Sequence, residues 1–148
     1  MLGEYEPKNY EAKWQDVWEQ GKIFEAPDDP GDKPTYYCLM MFPYPSGDLH
    51  MGHACNYTMG DAISRYRTMR GHAVMHPMGW DALGLPAENA AIQAGSHPAV
   101  WTKRNIDNMR RQLRLAGLAY DWRRELSTAH PGYYRWTQWI FLQMYERG

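Results

Sequence analysis

Cysteine is scarce, charge is nearly balanced, and no apolar run approaches the roughly 18 residues needed to span a bilayer. The two cysteines, Cys38 in an apolar run and Cys55 on the apolar side of a predicted helix, read as small core residues of a reducing compartment rather than a disulfide. A formal net charge of −1 provides no global attraction for a polyanion, so any nucleic-acid contact must be a local patch. Signal-peptide and lipidation patterns, repeats and low-complexity segments are lacking too, which predicts a cytoplasmic protein without membrane contact. What is there is 148 residues, 44% hydrophobic and 22% charged: one domain or part of one, with enough apolar mass for a core.

The stretch Met41 to His53 organises the chain. An apolar run from Thr35 to Phe42 stops at Pro43, Pro45 and Gly47, and an amphipathic pattern then continues to Arg70, predicting strand, tight loop and helix. The apolar run suits a strand buried on both faces of a parallel sheet. Such a junction leaves helix N–H groups unpaired at a positive dipole end, a binding place for an anion. With Asp48 as N-cap, His50 and His53 fall on one face of the first turns and flank that anion. They continue into a polar stripe with Tyr57, Asp61 and Ser64, expected to face away from the core. Met51, Cys55, Met59, Ala62, Ile63, Tyr66 and Met69 form the stripe expected to face it. Gly52 removes a side chain where something must approach the backbone, at a propensity cost of about 1 kcal/mol. A merely solvated helix start is the plain alternative. A metal set of His50, His53 and Cys55 is opposed by the side Cys55 takes, and no tightly bound metal is assigned.

Gly71 ends the helix, and His72 to Met78 reads as a second strand, completing a β-α-β unit. In open α/β sheets ligands bind beyond the carboxyl ends of strands, so the histidine stretch and the loop Gly79 to Pro86 share one rim. Asp81 in that loop, when it does not simply brace its own turn, is a counter-charge for a ligand ammonium, with Tyr44 and the Met41 carbonyl beside it. Elsewhere, Pro7 to Lys22 reads as a surface helix docked by Tyr10, Trp14, Val17 and Trp18, and Ala26 to Pro34 as a lead-in loop. A helix from about Pro98 to Gly117 turns Ile106, Met109, Leu113 and Ala116 inward. Its basic face, Lys103, Arg104, Arg110, Arg111 and Arg114, is open to three readings: solvated, ion-paired or RNA-contacting. The last helix, from about Pro131, is apolar on nearly every side, which predicts that it belongs inside a larger protein of which this is a piece.

The run Pro43-Tyr44-Pro45-Ser46-Gly47-Asp48-Leu49-His50-Met51-Gly52-His53 resembles the His-Ile-Gly-His motif of the class I aminoacyl-tRNA synthetases, with Met51 in place of Ile. Asn56 to Asp61, Gly79 to Glu88, Tyr120-Asp121-Trp122 and Tyr133 to Trp136 are similar to the leucyl branch of that family. The resemblance implies an incomplete Rossmann-like α/β fold, with residues 1–34 a helix and lead-in and residues 35–148 the first half of the catalytic domain. It implies ATP-dependent leucine activation and transfer to tRNA(Leu), with ATP arriving as its Mg²⁺ complex. By the same resemblance His50 and His53 are catalytic; Pro43 to His53 and Asn56 hold ATP; and Met41, Phe42, Tyr44 and Asp81 hold leucine. No stretch matches the family's editing insertion, zinc element, Lys-Met-Ser-Lys-Ser loop or anticodon-binding part. The 148 residues alone are therefore expected to bind ATP weakly and to charge no tRNA. The alternative is a nucleotide-binding piece or another nucleotidyltransferase without aminoacylation activity.

Overall fold

The computed structural model describes residues 5–148. In order, the elements are α1 (Glu11–Gln20), β1 (Thr35–Tyr37), α2 (Met51–Met69), β2 (Ala73–Met75), β3 (Gly79–Trp80), α3 (Leu85–Gln93), α4 (Pro98–Leu115), β4 (Leu126–Ser127) and α5 (Pro131–Glu146). β1 pairs parallel with β2, Thr35 opposite Ala73, and β3 pairs parallel with β4, Gly79 opposite Leu126. Between β2 and β3 the chain passes Pro77, which has no N–H for a ladder. Bonds from Asp121 N to the His76 carbonyl (2.9 Å) and from Leu126 N to the Met78 carbonyl (3.2 Å) carry the contact across this break.

Both strands are shorter than the apolar runs predict. Cys38 N still bonds the Met75 carbonyl at 2.9 Å, but beyond it the chain runs on without a ladder. Nor is the first run buried on both faces. Cys38 is buried and Tyr36, Met40 and Phe42 are half-buried, whereas Tyr37, Leu39 and Met41 stand exposed.

The core gathers under the rim: Tyr57, Met78, Trp80, Ala82, Met109, Leu113 and Tyr120, with Met40, Phe42, Leu49 and Ile106 packed against it. Burying each large side chain contributes about 1.5–3 kcal/mol. Two glycines let it close. A Cβ at Gly60 would lie 2.5 Å from the Met40 sulfur, and one at Gly79 2.5 Å from the Phe42 ring. The buried Asp121 carboxylate accepts from Ala26 N at 3.0 Å and Arg123 N at 3.1 Å, and Arg123 donates to the Ala26 carbonyl at 2.6 Å, fixing the lead-in loop.

α2 presents the opposite face to that expected. Its buried residues are Tyr57, Gly60 and Ser64, while Met51, Met59, Ile63, Tyr66 and Met69 are exposed and Cys55 is a free, exposed thiol. The physical reason is a set of hydrogen bonds on the polar side. Asp61 accepts from Ala119 N at 2.6 Å and from Arg65 at 2.8 Å, and Arg65 donates to the Gly117 carbonyl at 2.7 Å. α1 docks through the half-buried Trp18 and Gln15, not through Tyr10, Trp14 or Val17, which are exposed. Arg65 lies over both Trp18 and Phe24, and Gln15 donates to the Leu115 carbonyl at 3.2 Å. On α4, Met109 and Leu113 are buried as expected, but Ala116, just past its end, is exposed.

α5 has no buried residue; Trp136, Trp139, Phe141 and Tyr145 are all more than half exposed. The chain exposes 10736 Å², about 2,900 Å² above the roughly 7,800 Å² expected of a folded monomer of its mass. Large apolar side chains on β1, α2 and α5 are among those left exposed. No helix among the described residues is long and apolar enough to cross a membrane.

Candidate active site

The start of α2 is capped by histidine. His50, not Asp48, is the N-cap, in extended backbone. Its Nδ1 accepts from Gly52 N at 3.1 Å, and His53 Nδ1 reaches back to accept from His50 N at 3.2 Å. This is the reciprocal logic of a capping box made with imidazoles. The two rings lie 3.9 Å apart, and His53 stacks on Tyr57 at 5.9 Å. Because both Nδ1 atoms accept, hydrogen-bond geometry assigns the neutral-ring proton to Nε2 in each, leaving two N–H donors free at a helix N-terminus. Gly52 does have a close visitor, the His50 ring: an added Cβ would lie 2.9 Å from its Cε1 and 3.0 Å from its Nδ1.

Burial first, and the neighbouring His50 second, hold His53 below the ordinary imidazole pKa, and burial does the same to His76 against the opposing pull of the Ala119 carbonyl. The unfolded chain therefore binds protons at these two sites more readily than the folded one. Their contribution to stability is complete above the ordinary imidazole value, about 6.5, and is lost as pH falls through the lower folded values. Melting of the chain is expected to shift downward between about pH 7.5 and about pH 5.5, before carboxylates titrate. A melting temperature flat over that range would contradict the capped, neutral state.

Topology brings the second loop to the same rim. Asp81 N donates to the Pro43 carbonyl at 3.0 Å, and Tyr57 donates from α2 to the Met41 carbonyl at 3.2 Å. Burial pushes the Tyr57 hydroxyl up to about 12, so it remains a donor near neutrality. Asp81 does not spend its carboxylate on an Asx turn. The amides of Ala82 and Leu83 instead donate to the Thr128 hydroxyl, at 2.9 and 3.1 Å, and that hydroxyl lies 3.4 Å from Asp81 Oδ1. Trp80, below, is anchored by its indole N–H on Glu125, which also pairs with Arg110.

The loop between strand and helix is held from outside. Pro43 and Pro45 are buried, while Tyr44 and Ser46 are exposed and Gly47 half-buried. α4 supplies the ties: Asn105 donates to the Pro45 carbonyl at 3.0 Å, Gln112 accepts from Leu49 N at 3.1 Å and donates to Asp48 at 3.2 Å, and Asn108 also donates to Asp48. These amides were not singled out from sequence, although they follow the spacing of the core residues Met109 and Leu113. Of the predicted ligand contacts, Met41 is exposed, Phe42 and Asp81 are half-buried, and Asn56 is half-buried on α2. The basic face of α4 is largely ion-paired or hydrogen-bonded within the chain: Lys103 and Arg110 to Asp107, Arg114 to Glu19, Arg111 to Asn108.

A wide concavity lies elsewhere, an open groove of about 1020 Å³ between α4, β4 and the start of α5. It contains none of His50, His53, Met41, Tyr44 and Asp81, and it follows from α5 standing uncovered; the convergent polar groups mark the histidine rim instead. Among the described residues no group of three or more His, Cys, Asp or Glu is placed to hold a metal.

A sequence profile described as tRNA synthetases class I (I, L, M and V) matches residues 13–148. The chain belongs to this family. The leucine–tRNA ligase of Fusobacterium nucleatum is 59% identical over 99% of the chain, and the leucine–tRNA ligase subunit alpha of Aquifex aeolicus 57% over 100%. The chain spans 17% and 23% of the lengths of those relatives. Among solved class I synthetases, an Agrobacterium radiobacter LeuRS in ternary complex with tRNA and LeuAMS superposes with a TM-score of 0.92 and 45% identity, over 98% of this chain and 18% of that one. A Mycobacterium tuberculosis methionyl-tRNA synthetase in complex with methionyl-adenylate gives 0.63 and 30%, over 67% of this chain and 19% of its own. The mixed helix and strand fold is thus that of a class I synthetase catalytic domain.

Proposed function

We propose that this chain is the first part of the catalytic domain of a leucine–tRNA ligase, which condenses leucine with ATP, releases pyrophosphate and passes the leucyl group to tRNA(Leu). The observation that carries it is sequence identity of 59% over almost the whole chain, rim included, against 30% to a methionyl relative. In this reading the remainder of the protein covers the apolar faces of β1, α2 and α5, and residues 35–148 are the first half of a Rossmann-like domain.

Leucine's carboxylate attacks the α-phosphorus in line while the bond to the pyrophosphate oxygen breaks, so negative charge builds on phosphate oxygens. His50 and His53 donate from Nε2, and the α2 N-terminus adds its dipole, along the ATP-binding stretch Pro43 to His53 with Asn56 beyond it. Asp81 holds the leucine ammonium, with Met41, Phe42 and Tyr44 around the amino acid. Mg²⁺ enters as part of the ATP complex. The rim supplies half of the phosphate environment, so the 148 residues alone should bind ATP weakly. The cytoplasm, where ATP and tRNA meet, is the proposed compartment.

Amino-acid-dependent exchange of labelled pyrophosphate into ATP by the complete polypeptide tests this. Leucine should drive exchange, with valine, one methylene smaller, weaker by about ten- to two-hundredfold, and isoleucine and methionine, which differ in shape, weaker as well. Exchange driven by methionine, or none with any amino acid, would refute it.

A further inference from the structure

We propose that Asn105, Asn108 and Gln112 of α4 are positioning residues for the ATP-binding stretch, and that two of them serve to hold the Asp48 carboxylate away from the anion site. This rests on the functional reading above.

The need arises from the backbone. Between Pro43, whose carbonyl takes Asp81 N, and His50, which opens α2, the one backbone hydrogen bond among the described residues is Ser46 N to the Tyr44 carbonyl at 2.9 Å. Among the described residues, the other hydrogen bonds to residues 45–49 all come from the three amides. Asn105 occupies a buried position beside Met109 and Leu113, where an apolar side chain would fill a core without a polar group to satisfy. Its amide is matched to the Pro45 carbonyl, a loop group with no strand beside it. Gln112 uses both ends, its oxygen on Leu49 N and its nitrogen on Asp48.

Asp48 gives the arrangement its second purpose. An Asp just ahead of a helix is a strong N-cap and would itself occupy the free N–H groups. A carboxylate there would also repel an incoming phosphate. Here two N–H donors, from Asn108 and Gln112, take Asp48 Oδ1, and the cap falls to His50. The α4 amides thus keep the helix start open for an anion.

The test is calorimetric titration of the complete protein with ATP and, separately, with leucine. Gln112→Met, which keeps length and packing, should weaken ATP binding about tenfold while leaving leucine affinity within about twofold. Asn108→Ala, at a half-buried surface position, serves where Gln112→Met does not fold, and should show the same split. Adding Asp48→Asn to either variant should restore part of the lost ATP affinity, because the released charge is then gone. ATP affinity unchanged in the folded variants, or a loss that Asp48→Asn does not alter, overturns the proposal. Absence of leucine-dependent pyrophosphate exchange in the wild type counts against the functional reading instead, and ATP affinity is read independently of it.

Discussion

His53→Ala in the complete enzyme is expected to slow leucyl-adenylate formation by a few hundredfold while leucine affinity stays within about twofold. In the proposed reaction the developing charge sits on phosphate oxygens, whereas the residues proposed for the amino acid lie across the rim. Removing one preorganised donor from such a site raises the barrier by roughly 3–4 kcal/mol. His50→Ala should act in the same direction with an added structural loss. Its Nδ1 caps α2, and deleting an N-cap costs about 1 kcal/mol. Single-turnover formation of the adenylate separates the two effects, since a less stable but folded enzyme keeps its rate constant. A turnover number unchanged in both variants would remove the histidines from the mechanism.

Asp81→Ala is expected to act the other way round, weakening leucine binding about ten- to fortyfold before it slows the chemistry. A hydrogen bond to a charged group contributes about 1.5–3 kcal/mol, and the lower part of that range applies because Asp81 is half-exposed. The loop should survive the substitution. Its amides at Ala82 and Leu83 are held by Thr128, and its backbone is tied to Pro43. Calorimetry with leucine gives the comparison, and equal affinity in the variant would exclude an ammonium contact.

How much of this was legible in the sequence follows a physical division. The strand, loop and helix at Thr35 to Arg70, and the meeting of Asp81 with the end of the first run, follow from turn residues and from topology, which a single chain carries in itself. Which side of α2 faces inward does not. Apolar periodicity reports which face favours burial, but Met59, Ile63 and Met69 remain exposed among the described residues. The inner face is set by Asp61 and Arg65, whose partners at Ala119 and Gly117 lie far along the chain, together with Tyr57, which reaches back to Met41. The Asp48 cap failed for the same reason. Local capping preference favours Asp, and it was overruled by amides some 60 residues downstream. Polar residues at core spacing on α4 were the available signal for that contact.

The most direct measurement is the structure of the complete protein bound to a non-hydrolysable leucyl-adenylate analogue. The phosphate mimic should lie within hydrogen-bond reach of Nε2 of His50 and His53, with the Nδ1 atoms still capping α2 and the leucine ammonium on Asp81. An analogue seated in the groove between α4 and α5, or one whose phosphate mimic touches neither imidazole, would contradict the account.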